Sequence, residues 1–127
     1  MKLHRNPPGV PVPVAAYSQQ VEVREPARWL VLSGQLGQRE DGSTPNDPIE
    51  QLDAAFKNVI TNLRAAQMEA RDLVKLTIYL VGDFDMQRRR AVISKYLEEP
   101  YPCVTMVKIA GLFDDVHKVE IEAWACQ

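Results

Sequence analysis

Apolar positions along this chain recur at first every second residue, then every third or fourth, and each change of period marks a new element. Val21 and Val23 alternate with Gln20, Glu22 and Arg24, the pattern of a half-buried strand. Glu25, Pro26 and Ala27 read as a turn, and Trp29, Leu30, Val31 and Leu32 follow as a β-rich run leading into Ser33 and Gly34. The short link predicts that these two strands pair antiparallel. Residues 39–47 are loop by composition. A helix then opens with Asp47 as N-cap, Pro48 at the first helical position and Glu50 at capping-box spacing. Ile49, Leu52, Phe56, Val59, Ile60 and Leu63 make one apolar stripe, and the helix fades near residues 67–69. Residues 74–81 return to alternation and are rich in β-branched and aromatic side chains, which predicts a strand. Asp83 is placed to cap a second helix running to about Leu97, with a less regular stripe of Phe84, Met86, Val92, Ile93, Tyr96 and Leu97. The sequence Glu99, Pro100, Tyr101, Pro102 ends it. Two strands, 104–110 and 118–125, close the chain around the polar stretch 113–117.

The resulting order, β-β-α-β-α-β-β, predicts an α+β fold: a single mixed sheet with two helices on one face. Residues 17–127 form one domain. Residues 1–16 read as a Pro-rich N-terminal arm, in which Pro7, Pro8, Pro11 and Pro13 argue against a helix or a paired strand. The second sheet face has no helix left to cover it. Tyr79 and Val81 point to that face, opposite Ile78 and Leu80, which makes self-association the expectation.

Composition narrows the function classes. The 127 residues suffice for one domain, and 46% hydrophobic with 25% charged residues is ordinary for a packed globular chain. The formal charge of −2 lacks the basic excess of a phosphate-backbone binder, so no nucleic acid is expected as partner. Two cysteines, Cys103 and Cys126, make no disulfide framework and no zinc-ligand spacing, and read as reduced thiols. No apolar run approaches the ~18 residues of a membrane span. The first residues lack the apolar segment of a secretory signal, so a cytoplasmic protein with no membrane partner is expected. His4 and His117 have no partner at catalytic spacing and read as surface histidines, and Cys103 has no neighbour that would stabilise a thiolate. Neither a Ser/His/Asp set, a phosphate-binding loop nor a dinucleotide fingerprint is present.

Five segments in one register carry a family resemblance. They are 17–21 (Tyr-Ser-Gln-Gln-Val), 32–37 (Leu-Ser-Gly-Gln-Leu-Gly), the helix with Gln51 and 58–63, then 72–80, and finally 119–123 (Val-Glu-Ile-Glu-Ala). Together they resemble the RidA/YjgF family of reactive-intermediate deaminases, also labelled endoribonuclease L-PSP, over about residues 17–125. The resemblance implies a chorismate-mutase-like fold and a homotrimer with clefts between subunits. It also implies hydrolysis of an imine or enamine to a carbonyl compound and ammonia, with no cofactor or metal.

Carried over residue by residue, the resemblance gives Glu120 as the carboxylate that orients and deprotonates the attacking water. Glu122 shares its strand face, and only the alignment separates the two; a surface ion pair is the other role open to either. Tyr17 aligns with a tyrosine reaching into the cleft, where it would donate a hydrogen bond or wall off an apolar pocket. Ser33, beside Gly34, is placed either to hold a polar substrate group or simply to form a turn. The backbone carbonyl of Met106 aligns with the acceptor for the water. The departure falls at Val104, where imine-hydrolysing members carry the arginine that clamps a substrate carboxylate. Lys108 shares Val104's face but stands roughly 13 Å along the strand. Arg88, Arg89 and Arg90 fan out by ~100° each, and Arg88 lies nearest a substrate-contacting position of the family.

Two readings follow for a small-molecule ligand. One is hydrolysis of a reactive imine or enamine with a non-standard substrate. The other is a non-catalytic metabolite-binding or regulatory trimer that has lost the clamp. The ribonuclease label conflicts with the acidic charge. Chorismate mutase chemistry would need cations to hold a dianion, and no such set is evident.

Overall fold

The structure, a computed structural model, describes residues 1–26 and 28–127. It contains β1 (Lys2–Arg5), β2 (Gln20–Val23), β3 (Trp29–Leu36), α1 (Pro48–Ala65), β4 (Leu73–Leu80), α2 (Met86–Tyr96), β5 (Cys103–Lys108) and β6 (Val119–Cys126), with a 3₁₀ turn at Ala70–Asp72. A four-stranded sheet has the order β3-β6-β4-β5. β6 runs antiparallel to both β3 and β4, while β4 and β5 are parallel. The parallel pair needs a crossover, which α2 supplies. Sheet and helices thus follow the α+β arrangement with a mixed sheet.

The N-terminal expectation needs correcting. Lys2–Arg5 is a strand, and it pairs antiparallel with β2 in a separate two-stranded sheet, Lys2 opposite Val23. β2 therefore pairs with β1 and not with β3. The arm's prolines all follow Arg5, so the first residues keep every N–H a ladder needs. Between β2 and β3, Glu25 takes a positive φ of 51° and Pro26 has no N–H to donate, which carries the chain away from a simple hairpin. The turn expected at residues 25–27 ends at Ala27, which lies outside the described residues. Lys2 ties the ribbon down, its ammonium reaching the Asp72 carboxylate (3.2 Å) and the Cys126 carbonyl (2.8 Å).

α1 begins as its sequence dictates. Asp47 caps it by accepting the Ile49 N–H at 2.9 Å, with Pro48 in the first turn. Leu52, Phe56, Val59 and Leu63 are fully buried against Leu76, Ile78, Ile121 and Ala123 of the sheet. Each such side chain contributes about 1.5–3 kcal/mol through burial. Gln51 is buried among them as a polar tie. Its amide donates to the Pro45 and Val116 carbonyls and its oxygen accepts the Lys118 N–H, joining two loops to the helix.

α2 begins at Met86, capped by Asp85, whose carboxylate accepts the Arg88 N–H at 2.8 Å. Asp83 is not the cap; it pairs with Lys108 at 3.0 Å. The helix has no fully buried residue and Met86 is exposed, so Met86 leaves the predicted stripe. Phe84, Val92, Ile93 and Tyr96 pack at the edge of the core. Tyr96 stacks on Phe56 at 5.3 Å and donates to Asp53, which fixes α2 onto α1. Neither histidine is a plain surface residue. His117 is buried between Asp114 (2.8 Å) and Thr44 (3.0 Å), and half-buried His4 bonds the Tyr101 carbonyl at 2.8 Å. No helix of the described residues is long and apolar enough to cross a membrane.

Candidate functional site

Strand register decides which candidate residues can meet. Leu76 stands opposite Val104 and Ile78 opposite Met106 across the β4–β5 ladder. Leu76 and Ile78 lie under the helices, so Val104 and Met106 point to the helix side of the sheet. Across the β4–β6 ladder, Tyr79 stands opposite Glu120 and Thr77 opposite Glu122. Those residues occupy the alternate positions and point to the uncovered face. The predicted site is therefore divided between the two faces of one sheet.

On the helix side, β5, α2 and the end of the N-terminal arm enclose a cavity of about 560 Å³. Tyr17, Tyr101, Val104, Met106, Ile93 and Arg90 are among its lining residues. The arm is anchored where it matters. Ser18 donates its hydroxyl to the Tyr101 carbonyl at 2.7 Å and its N–H to the Pro102 carbonyl at 3.0 Å. These bonds, with that of His4, place Tyr17 and Tyr101 at the cavity. β5 is an edge strand of the sheet, so one row of its backbone groups has no ladder partner.

On the uncovered face, Ser33 and Gly34 form a bulge in β3, between Leu32 opposite Ala123 and Gln35 opposite Ile121. The Glu120 carboxylate lies directly over this bulge. A Cβ built on Gly34 would stand 2.0 Å from Glu120 Oε1, so only glycine leaves room for it. Glu120 forms no salt bridge with a described residue. Glu122 is engaged differently, accepting the Tyr79 hydroxyl at 2.5 Å. That hydrogen bond, together with burial and the nearby charges of Glu122 and Glu120, pushes the Tyr79 phenol above its ordinary value, so it stays a donor. Further along the same face, Trp29, Val31 and Trp124 are half exposed, with the two indoles edge to face at 6.4 Å. Among the described residues, no group of three or more His, Cys, Asp or Glu is placed to hold a metal ion.

The family profile described as Endoribonuclease L-PSP matches residues 9–127. The chain belongs to the RidA/YjgF family. A curated relative from Capra hircus, a 2-iminobutanoate/2-iminopropanoate deaminase, is 30% identical over 119 residues, 92% of this chain and 84% of that one. The crystal structure of RidA from the Antarctic bacterium Psychrobacter sp. superposes with a TM-score of 0.72 at 30% identity, covering 92% of this chain and 93% of that one. A Rid-family protein of unknown function from Yersinia pestis has the same fold, with a TM-score of 0.87 at 23% identity over 99% of this chain and 98% of that one.

Within this RidA-family chain, Tyr17, Val104 and Met106 share the helix-side cavity. Glu120 and the Ser33–Gly34 bulge share the opposite face. Arg88 joins neither group: its guanidinium grips the Asp47 carboxylate at 2.5 Å, at the start of α1. Arg90 is the arginine of the run that lines the cavity. Helical spacing would have selected it, because Arg90, Ile93 and Ser94 fall on one face at i, i+3 and i+4, whereas Arg88 shares a face with Ala91 and Val92 toward α1. Tyr101, between two prolines, and Tyr79, the partner of Glu122, are the other residues that pattern reading passed over. Another depression, of about 1090 Å³ between α1, α2 and the loop after β3, lies away from both groups. Within it the Lys95 ammonium pairs with the Asp53 carboxylate at 2.8 Å.

Proposed function

We propose that this RidA-family protein hydrolyses a reactive imine or enamine to a carbonyl compound and ammonia, in a cleft completed by a second copy of the chain. The observation that carries the reading is the Glu120 carboxylate, held over Gly34 and bound by no described cation. The relatives that are imine deaminases support the reaction class. Hydrolysis of C=N needs a water that loses a proton as its oxygen bonds to carbon. A positioned carboxylate accepts that proton and returns it to the nitrogen, giving a carbinolamine. The carbinolamine hydroxyl then gives up its proton to the amine by way of the carboxylate, the C–N bond breaks, and ammonia leaves as the C=O bond forms.

The two-sided arrangement supports the second copy. Glu120 and the Val104 cavity lie on opposite faces of one sheet, so a ligand that touches both takes them from different protomers. The exposed Trp29, Val31 and Trp124 on the uncovered face supply apolar area for such a contact. A homotrimer is the assembly proposed. In that site Tyr17 and Tyr101 wall the ligand and Ser33 offers a hydroxyl beside the bulge. Met106 offers a backbone acceptor. No metal or cofactor takes part in the proposed chemistry.

Val104 favours a second reading, a binding trimer without turnover, because no cation stands at that strand position to fix a short imino acid. Glu120→Gln separates the two. The enzymatic reading expects turnover to fall by ~10²-fold with assembly intact. An unchanged rate removes Glu120 from the reaction, and wild-type saturation binding without ammonia release selects the binding module.

A further inference from the structure

Three consecutive arginines on α2 meet three different surroundings. Arg88 is neutralised by Asp47, and Arg89 has its Nε buried without a hydrogen bond among the described residues. Arg90 is exposed at the helix-side cavity and makes no salt bridge with a described residue. Neighbouring cations are paired elsewhere, Lys95 with Asp53 and Lys108 with Asp83. The cavity lining contains no aspartate or glutamate, and its other walls are Val14, Tyr17, Ile93, Tyr101, Val104 and Met106, with small residues between.

We propose that Arg90 is the anion-recognising residue of this cavity, and that the cavity takes a monocarboxylate with an apolar body, its charged end at the α2 wall. The inference deepens the function proposed above, resting on it for the reaction but not for the binding. A guanidinium in an aromatic and aliphatic setting presents a planar fork that matches a carboxylate. Ser94, one turn along on the same face, adds a hydroxyl donor. A single cation balances a single charge. A phosphate dianion would leave one charge uncompensated against apolar walls, which is costly. The volume of about 560 Å³ lies within the range of small-molecule sites and leaves room for an apolar chain extending from α2 toward Val104 and Met106. The ligand therefore differs in orientation from one clamped by a cation on β5: the carboxylate sits at the helix and the hydrocarbon rests on the strand.

Titration calorimetry of the assembled protein with hexanoate and with hexanamide tests this directly. The wild type should prefer the acid by roughly tenfold to a hundredfold, the worth of a charge-assisted pair. Arg90→Gln should bind the two alike, with amide binding retained, and Arg90→Lys should fall between, keeping charge but losing the fork. The proposal is overturned if wild type binds acid and amide equally or does not bind hexanoate at millimolar concentration. It is overturned equally if Arg90→Gln keeps the preference, or if Arg88→Gln abolishes it instead. Ammonia release from imines is measured separately. Its absence beside an intact, Arg90-dependent preference refutes the enzymatic reading and leaves this assignment standing.

Discussion

Replacing Gly34 by alanine adds one methyl group at the place where the proposed water-activating carboxylate rests. The new Cβ would lie 2.0 Å from Glu120 Oε1, 2.7 Å from Cδ and 2.9 Å from Cγ. All three atoms belong to the movable end of one side chain, so the carboxylate swings away and the backbone stays put. Gly34 has no positive φ, so alanine fits its backbone without strain and stability should hold or rise slightly, by up to about 1 kcal/mol through the unfolded chain. Clearing the methyl displaces Glu120 by more than an ångström, and a misplacement of that size costs ~10²-fold in rate. Gly37 is the contrast. A Cβ there would meet the Gln51 carbonyl oxygen at 2.5 Å and Cα at 2.7 Å, atoms of α1's own backbone. Gly37→Ala should therefore destabilise by about 1–3 kcal/mol as an overpacked core does, with any loss of rate following from loss of fold. Thermal melts read stability. Imines generated by an amino-acid oxidase, with a trap for the unhydrolysed fraction, read turnover. Wild-type rates from a folded Gly34→Ala protein would refute the claim that Glu120's position matters, and unfolding of Gly34→Ala would refute the claim that the clash is absorbed by a side chain.

Two further outcomes follow from individual residues. Val104→Arg should raise hydrolysis of 2-iminopropanoate over a low wild-type rate, since a guanidinium–carboxylate bond contributes about 1.5–3 kcal/mol; a wild type that already turns this imine over well would show that its carboxylate is held without a cation at β5. Burial pushes the Asp72 carboxyl up, but the Glu69 N–H, the Lys2 ammonium and the Gln127 amide outweigh it and hold the group below the usual range. A depressed carboxylate stabilises the fold above its unfolded pKa and loses that contribution as pH falls through the folded value. Acid unfolding monitored by circular dichroism should therefore begin at higher pH in Lys2→Met than in wild type, and coincident curves would deny Lys2 that role.

How much of this was legible in the sequence depends on how local each signal is. α1 declares itself because its cap, its proline and its stripe all lie within one segment, and Asp47, Leu52, Phe56 and Leu63 stand as the spacing requires. β1 is four residues long, too short for periodicity to register, and its partners stand well along the chain, from Gln20 opposite Arg5 to Val23 opposite Lys2. His117 reads as a loop histidine because Asp114 is local but Thr44 is 73 residues distant. The alternation of β5 and β6 is plain in the sequence. Which parity of each strand faces the helices is set by register across β4, and that register puts Glu120 and Val104 on opposite faces. The arginine run shows the converse. The family resemblance points to Arg88, while the helical spacing of Arg90 with Ile93 and Ser94 identifies the arginine at the cavity.

Mixing two disabled chains asks whether hydrolysis occurs where Glu120 of one protomer meets the cavity of another. Glu120→Gln lacks the carboxylate. Ser94→Trp fills the cavity from an exposed position on α2. Each should be inactive alone while remaining assembled. Trimers refolded or co-expressed from an equal mixture should regain activity, because about one cleft in four would draw its carboxylate and its cavity from intact copies. Mixed trimers as inactive as either parent, with subunit exchange verified by mass spectrometry, would show that the carboxylate and the cavity do not meet between protomers.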